Sequence, residues 1–118
     1  MFFFKKKTLD EKYLALAEKG RVGKIVNAVF TADTYDERVA AINALGEIRV
    51  KESIEALLKS IKDDDEEVRL ASANSLKKIG SYKEVEPLMH FAETEQNPEI
   101  AEAMKAAAVA SKDRSPRW

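Results

Sequence analysis

The feature that most constrains this chain is a self-similarity at a spacing of 31 residues. Shifted by that amount, ERVAAINALGEIRVKESIEALL (37–58) falls on VRLASANSLKKIGSYKEVEPLM (68–89). Identities are Arg38/Arg69, Ala40/Ala71, Asn43/Asn74, Leu45/Leu76, Ile48/Ile79, Glu55/Glu86 and Leu57/Leu88, with Ile54/Val85 and Leu58/Met89 conservatively matched. A unit of about thirty residues holding two helical patterns cannot bury its apolar faces alone. Stacking of such units into an α-solenoid buries them.

Within each unit the apolar spacing is helical. Ala41, Ala44, Leu45 and Ile48 follow the i, i+3, i+4, i+7 rule, and so do Ile54, Leu57, Leu58 and Ile61. Ser72, Ser75, Leu76 and Ile79, then Val85, Leu88, Met89 and Ala92, repeat the two stripes. The first helix of each unit carries Ala or Ser where the second carries Leu, Ile or Met. Small side chains let neighbouring backbones approach closely, so the first helices are expected to pack tightly.

Boundary residues agree with this reading. Thr8 with Glu11, Thr34 with Glu37, and Ser81 with Glu84 are capping-box patterns, in which the hydroxyl accepts from the backbone and the carboxylate reaches back. Asn97-Pro98 sets an N-cap before a first-turn proline. Gly20 and Gly80 stand where a helix is expected to stop in the left-handed conformation. Seven helices follow, over 9–19, 21–31, 35–48, 52–62, 66–79, 83–94 and 98–111. The end units lose the alignment, as the caps of a solenoid should. The organisation expected is an aromatic and basic segment at 1–7, the solenoid at 8–111 and a flexible tail at 112–118.

Asp65-Glu66-Glu67-Val68-Arg69, Ala71, Leu76, Ile79-Gly80, Val85 and Leu88, with Arg38, Ala40, Ala41, Ala44, Leu45-Gly46, Ile48 and Ile54 one unit earlier, resemble the HEAT-like repeat named after phycobilisome lyases. The resemblance covers 36–92 and part of 97–107. It implies right-handed stacking of antiparallel helix pairs, the second helix of each pair lining a concave face. Members include chromophore lyases, chaperone-like subunits and plain scaffolds. The resemblance therefore also raises a lyase-type or chaperone-like subunit acting on a tetrapyrrole-bearing protein. HEAT-repeat hydroxylases bind iron through His-Glu pairs, whereas His90 here is followed by Phe91. Glycosylases built from such repeats need a basic, aromatic-lined groove, which a formal net charge of −1 does not supply.

The chain offers little to catalysis. It has one histidine and no cysteine, which removes a thiol nucleophile, thiolate metal sites and disulfides. The lack of disulfides fits a reducing, cytoplasmic setting. The near-balanced charge argues against an obligate nucleic-acid binder, whose affinity rests on phosphate neutralisation. No cofactor and no metal site are expected. The acidic run 63–67 lacks the spacing and the glycine of a calcium loop and reads as a helix-start cap. At the amino end Phe2-Phe3-Phe4 precede Lys5-Lys6-Lys7, the reverse of a secretory signal. That segment pairs an aromatic wedge with cations and suits either contact with an anionic membrane or a cap on the first helix pair, and three lysines at about 1 kcal/mol each give only marginal membrane binding.

The expected function is a non-catalytic protein-interaction scaffold or adaptor. The surface singled out is the outer side of the second helices: Glu55, Lys59 and Lys62 in one, Glu86, His90 and Phe91 in the next. Phe91 aligns with Ser60 and is either an exposed anchor or packed under the last helix. Arg38 and Arg69 are expected to pair with acidic loop residues such as Asp33, Asp64 or Asp65. Asn43 and Asn74 are expected to face solvent on the convex side, without a role. The alanine-rich last helix, with no second helix to cover it, is expected either to pack inward or to stack on another copy.

Overall fold

The computed structural model describes residues 7–118. Among them there are seven α-helices and no strand: α1 (Leu9–Glu18), α2 (Val22–Thr31), α3 (Tyr35–Leu45), α4 (Lys51–Ser60), α5 (Glu66–Ile79), α6 (Val85–Thr94) and α7 (Pro98–Ser111). They form a two-layer stack of 54 × 31 × 23 Å. The first helices α1, α3, α5 and α7 pack side by side in one layer, and α2, α4 and α6 lie against them in the other. This is a short α-solenoid, as the repeat predicts.

The hydroxyl half of each expected capping box forms, but the reciprocal carboxylate bond to the cap amide forms only at Ser81 with Glu84. The hydroxyls of Thr8 and Thr34 accept from the amides of Glu11 and Glu37, each at 3.1 Å. Asp65 caps α5 by accepting from Val68 N at 3.0 Å, and Asn97 caps α7 by accepting from Glu99 N at 3.0 Å. The acidic run 63–67 is thus a helix start in the structure. Gly20, at φ +71°, ends α1 in the left-handed region.

Other helix ends fall within one or two residues of expectation, and three boundaries differ for a visible reason. The helix at 35–48 stops at Leu45, because the chain tightens there into short turns that bond Glu47 N to Ala44 O and Ile48 N to Leu45 O. The helix at 83–94 opens with a 3-10 turn over Tyr82–Glu84, held by the Ser81 amide donating to the Glu84 carboxylate at 2.8 Å. Gly80 is not left-handed; it is extended, at φ −63° and ψ 151°. Its requirement for glycine comes from close approach instead. A Cβ there would run into Ser111 Oγ of α7 and lie 2.8 Å from Leu76 O.

The small residues do what their positions imply. Ala40, Ala41, Ala44, Ala71, Ser72, Ser75, Ala107, Ala108 and Ser111 are buried. Ser75 Oγ crosses from α5 to donate to Ile42 O of α3 at 2.9 Å, and a Cβ on Gly46 would stand 2.7 Å from that hydroxyl. Ser72 Oγ lies 2.5 Å from Ser60 Oγ of α4 and also donates to Val68 O, so this buried hydroxyl is satisfied. The large side chains Ile25, Ile42, Leu45, Leu57, Ile61, Leu76, Leu88, Ile100 and Met104 fill the space between layers. The apolar stripe of α6 is narrower than its spacing suggests: Leu88 and Ala92 are buried, Val85 is half-buried and Met89 is exposed.

At the carboxyl end α7 packs inward on α5 and α6 through Ile100, Met104, Ala107 and Ala108, leaving Val109 exposed. Two sets of contacts reach the segment 112–118. Tyr82 N donates to Arg114 O at 2.9 Å while the Arg114 guanidinium donates to Gly80 O at 3.2 Å. Arg49 spans Ile79 O and Ser115 O, at 3.2 and 2.6 Å. The segment Phe2–Lys7 lies outside the described residues except for Lys7, which is exposed.

Candidate interaction site

The two repeated arginines build the frame of the site. Arg38, on α3, donates through Nε to Val29 O at 2.7 Å and through Nη2 to the carboxylate of Asp63, just past α4. Arg69, on α5, donates through Nη1 to the carbonyls of Asp63 and Asp64, both at 3.0 Å. Its Nε and Nη2 meet the two oxygens of Glu95, just past α6, at 2.8 and 3.0 Å. Each guanidinium therefore ties backbone carbonyls at or just beyond the end of one second helix to a carboxylate beyond the end of the next. The expected acidic partners Asp33, Asp64 and Asp65 are replaced by Asp63 and Glu95, because the side chain reaches forward across its own repeat. Bidentate, charge-assisted contact of this kind is the strong form of an ion pair.

Electrostatics follow the geometry. The Glu95 side chain is 6% exposed, and hydrogen bonding from Arg69 holds its carboxyl below the usual carboxylate range against the opposing effect of burial. The same bond raises the Arg69 guanidinium above its ordinary value. Asp63 is tied to Arg38 and also accepts from the Asp65 amide at 3.0 Å.

Between these staples the second layer opens. α2 reaches α4, but no Cα of α4 lies within 8 Å of one in α6. The gap is a cleft of about 470 Å³, floored by Ile61 and Met104 and edged by Lys62, Asp64, His90, Phe91, Thr94 and Gln96, with Arg69 and Glu95 behind. Phe91 is half-buried against the core and also faces the cleft, which combines the two positions left open by its sequence. Lys62 Nζ stands 5.9 Å from the centre of the Phe91 ring, and the His90 ring is tilted against it at 6.0 Å.

Of the six residues singled out from sequence, the structure brings Lys62, His90 and Phe91 together at this cleft. Glu55, Lys59 and Glu86 are exposed but line no part of it, and Glu55 makes an i,i+4 pair with Lys51 at 3.8 Å. Ile61, Asp64, Thr94, Gln96 and Met104 were not singled out. Gln96 and Asp64 sit in the turns that follow the second helices, and the 31-residue alignment marks those turns as equivalent. Met104 comes from a helix outside that alignment. Among the described residues no group of three His, Asp or Glu side chains is arranged to hold a metal ion, and no helix is long and apolar enough to cross a membrane.

Residues 24–108 match the family of HEAT repeats, and the chain belongs to that family. HEAT repeats are commonly protein-interaction scaffolds and typically non-catalytic. The match is to HEAT repeats as a class and does not single out the lyase-named branch. No curated protein is similar to the chain.

Proposed function

We propose that this protein is a non-catalytic interaction scaffold whose partner docks on the face of the second helices, the face that the family's stacking would make concave. The α4–α6 cleft receives the partner's apolar anchor. The observation that supports this reading most is the coincidence, in one opening, of a half-buried aromatic ring, an apolar floor and an exposed cation over the ring. Interfaces draw most of their energy from such aromatic anchors, with a polar rim that excludes water. Lys62 and His90 form the rim next to Phe91. Glu55, Lys59 and Glu86 extend it along α4 and α6.

The reading is tested by cross-linking and affinity capture from native lysate. Lys62→Glu with His90→Glu alters only exposed side chains and should abolish capture while the helical circular dichroism stays unchanged. Phe91→Ala should do the same with some loss of stability, since part of the ring packs on the core. Capture at wild-type level by both variants would remove the cleft from consideration.

A further inference from the structure

The opposite face of the molecule carries a groove of different chemistry. Four adjoining depressions on the first helices share lining residues: Asp10 and Asn43 join two of them, Leu14 and Glu47 another pair, and Asn74 links the last. Three lie along the seam between α1 and α3 and the fourth along the seam between α5 and α7; the depression lined by both Asn43 and Asn74 joins the two seams into one track, with Leu14, Ala40 and Leu70 among its apolar lining. We propose that this track docks an extended, lysine- or arginine-bearing segment of another protein.

Two independent features support that occupant. The first is the asparagine pair. Asn43 and Asn74 occupy the same position in successive units, both are exposed, Asn43 in the last turn of α3 and Asn74 within α5, and among the described residues neither side chain makes a hydrogen bond. Asparagine is a poor helix former, so local stability does not call for it at either place. Its carboxamide both donates and accepts, which matches the N–H and C=O of a peptide group. Neighbouring packed helices lie roughly 10 Å apart, about three residues of extended chain. Each asparagine thus addresses one peptide group of a strand running across the helices.

The second feature is charge complementarity. The track is lined by Asp10, Glu18, Asp36, Glu47, Glu99 and Glu102, against Lys77 and Lys78. Lys78 is already engaged by Glu47 at 2.7 Å. Asp10, Asp36 and Glu99 sit in first turns, where the helix dipole favours them. Glu18 and Glu47 do not. They stand at the carboxyl ends of α1 and α3, where that dipole opposes a carboxylate. Lys78 already offsets Glu47, so a cationic ligand offsets Glu18, and the acidic excess of the track repels a nucleic acid or anionic lipid surface.

Fluorescence anisotropy tests this with a labelled peptide of alternating lysine and threonine, titrated with the whole chain. Saturable binding is expected, lost when glutamate replaces lysine and lost when the threonine amides are N-methylated. Asn43→Ala with Asn74→Ala should weaken it about thirtyfold or more at unchanged salt dependence, the effect of losing four neutral hydrogen bonds. Glu18→Gln with Glu102→Gln should instead flatten the salt dependence. Lys62→Glu with His90→Glu, on the other layer, should leave it unchanged, which separates this groove from the α4–α6 cleft. Absence of saturation, or equal affinity for the N-methylated peptide, or indifference to the asparagine substitutions, overturns the proposal. Concentration-dependent dimerisation that the asparagine substitutions abolish, with no peptide binding, would assign the track to a second copy and overturn it as well.

Discussion

The two layers of this solenoid are built from the same repeat but close differently. In the first layer, serine and glycine let α5 meet α3 and α7 meet α5 at backbone distance, as Ser75 on Ile42 O and Gly80 under Ser111 demonstrate. In the second layer the contact positions hold Leu, Ile and Met, and α4 and α6 stand apart with an arginine-stapled cleft between them. Small side chains at its contacts thus make the first layer a continuous wall, while the second is interrupted between α4 and α6. Coupling across the gap falls to polar contacts, chiefly those of Arg69.

That contrast makes Arg69→Ala the most damaging single change in the open layer. It leaves Glu95 nearly buried without its cation and frees the carbonyls of Asp63 and Asp64. Removing one partner of a buried pair costs about 3 kcal/mol or more, and urea unfolding should show it as a lower midpoint at unchanged slope. The pH dependence should change too. Glu95 is depressed in the fold, so its contribution is fully present above the unfolded carboxylate value of about 4.3 and is lost as pH falls through the folded value. Wild type should lose stability through that acid window, and Arg69→Ala should lose less there. Equal acid sensitivity in the two would show that the staple does not hold the second layer.

The closed layer should fail by crowding. Gly80→Ala sets a methyl group against Ser111 Oγ and the Leu76 carbonyl and should cost about 2 kcal/mol, as overpacking does. Gly46→Ala sets a methyl group 2.7 Å from Ser75 Oγ, which can turn aside, and 3.2 Å from the Asn43 carbonyl, and should cost about 1 kcal/mol. Enlarging the open layer with Thr94→Leu, at the edge of the cleft, should stay within about 0.5 kcal/mol. Thermal or urea denaturation of the three variants checks the order. A Thr94→Leu cost equal to that of Gly80→Ala would mean that the cleft has no room.

What the sequence carried and what it left out follow from the range of the interactions. Helix positions and caps depend on residues three or four apart, so the spacing of Ser72, Ser75, Leu76 and Ile79 and the Asp65 cap were legible along the chain. Gly80 was misread because glycine after a helix serves two physical needs. Only the arrival of Ser111 from α7 shows that close approach, rather than a left-handed φ, is the one at work. The partners of Arg38 and Arg69 were misplaced for a related reason. Sequence pointed to acids one loop away, while the guanidinium reaches a carboxylate 25 or 26 positions on, past the end of the following helix. The cleft was half legible. Lys62, His90 and Phe91 share an exposed face by periodicity, but the separation of α4 from α6 and the arrival of Met104 are properties of the stack.

Two carboxylates, one in each layer, are held by different means. Glu95 is held by a cation in the open layer. Glu37, in the closed one, accepts from the Tyr13 hydroxyl of α1 at 2.6 Å and from Lys12 at 3.2 Å, and the tyrosine bond is the main cause of its lowered carboxyl. The same contact, added to burial, pushes the Tyr13 phenol up to about 12. Tyr13→Phe removes this one bond and keeps the ring, so it should cost about 1 kcal/mol at neutral pH. Because the Tyr13 value is raised in the fold, its contribution is complete below the unfolded value of about 10 and declines as pH climbs towards 12. Because the Glu37 value is lowered, its share is present above the ordinary carboxylate value and declines as pH falls through the folded one. Unfolding curves of wild type and Tyr13→Phe should therefore lie furthest apart near neutrality and draw together at both extremes. No gap at neutrality would mean that the ring's packing alone, and not the hydroxyl bridge, joins α1 to α3.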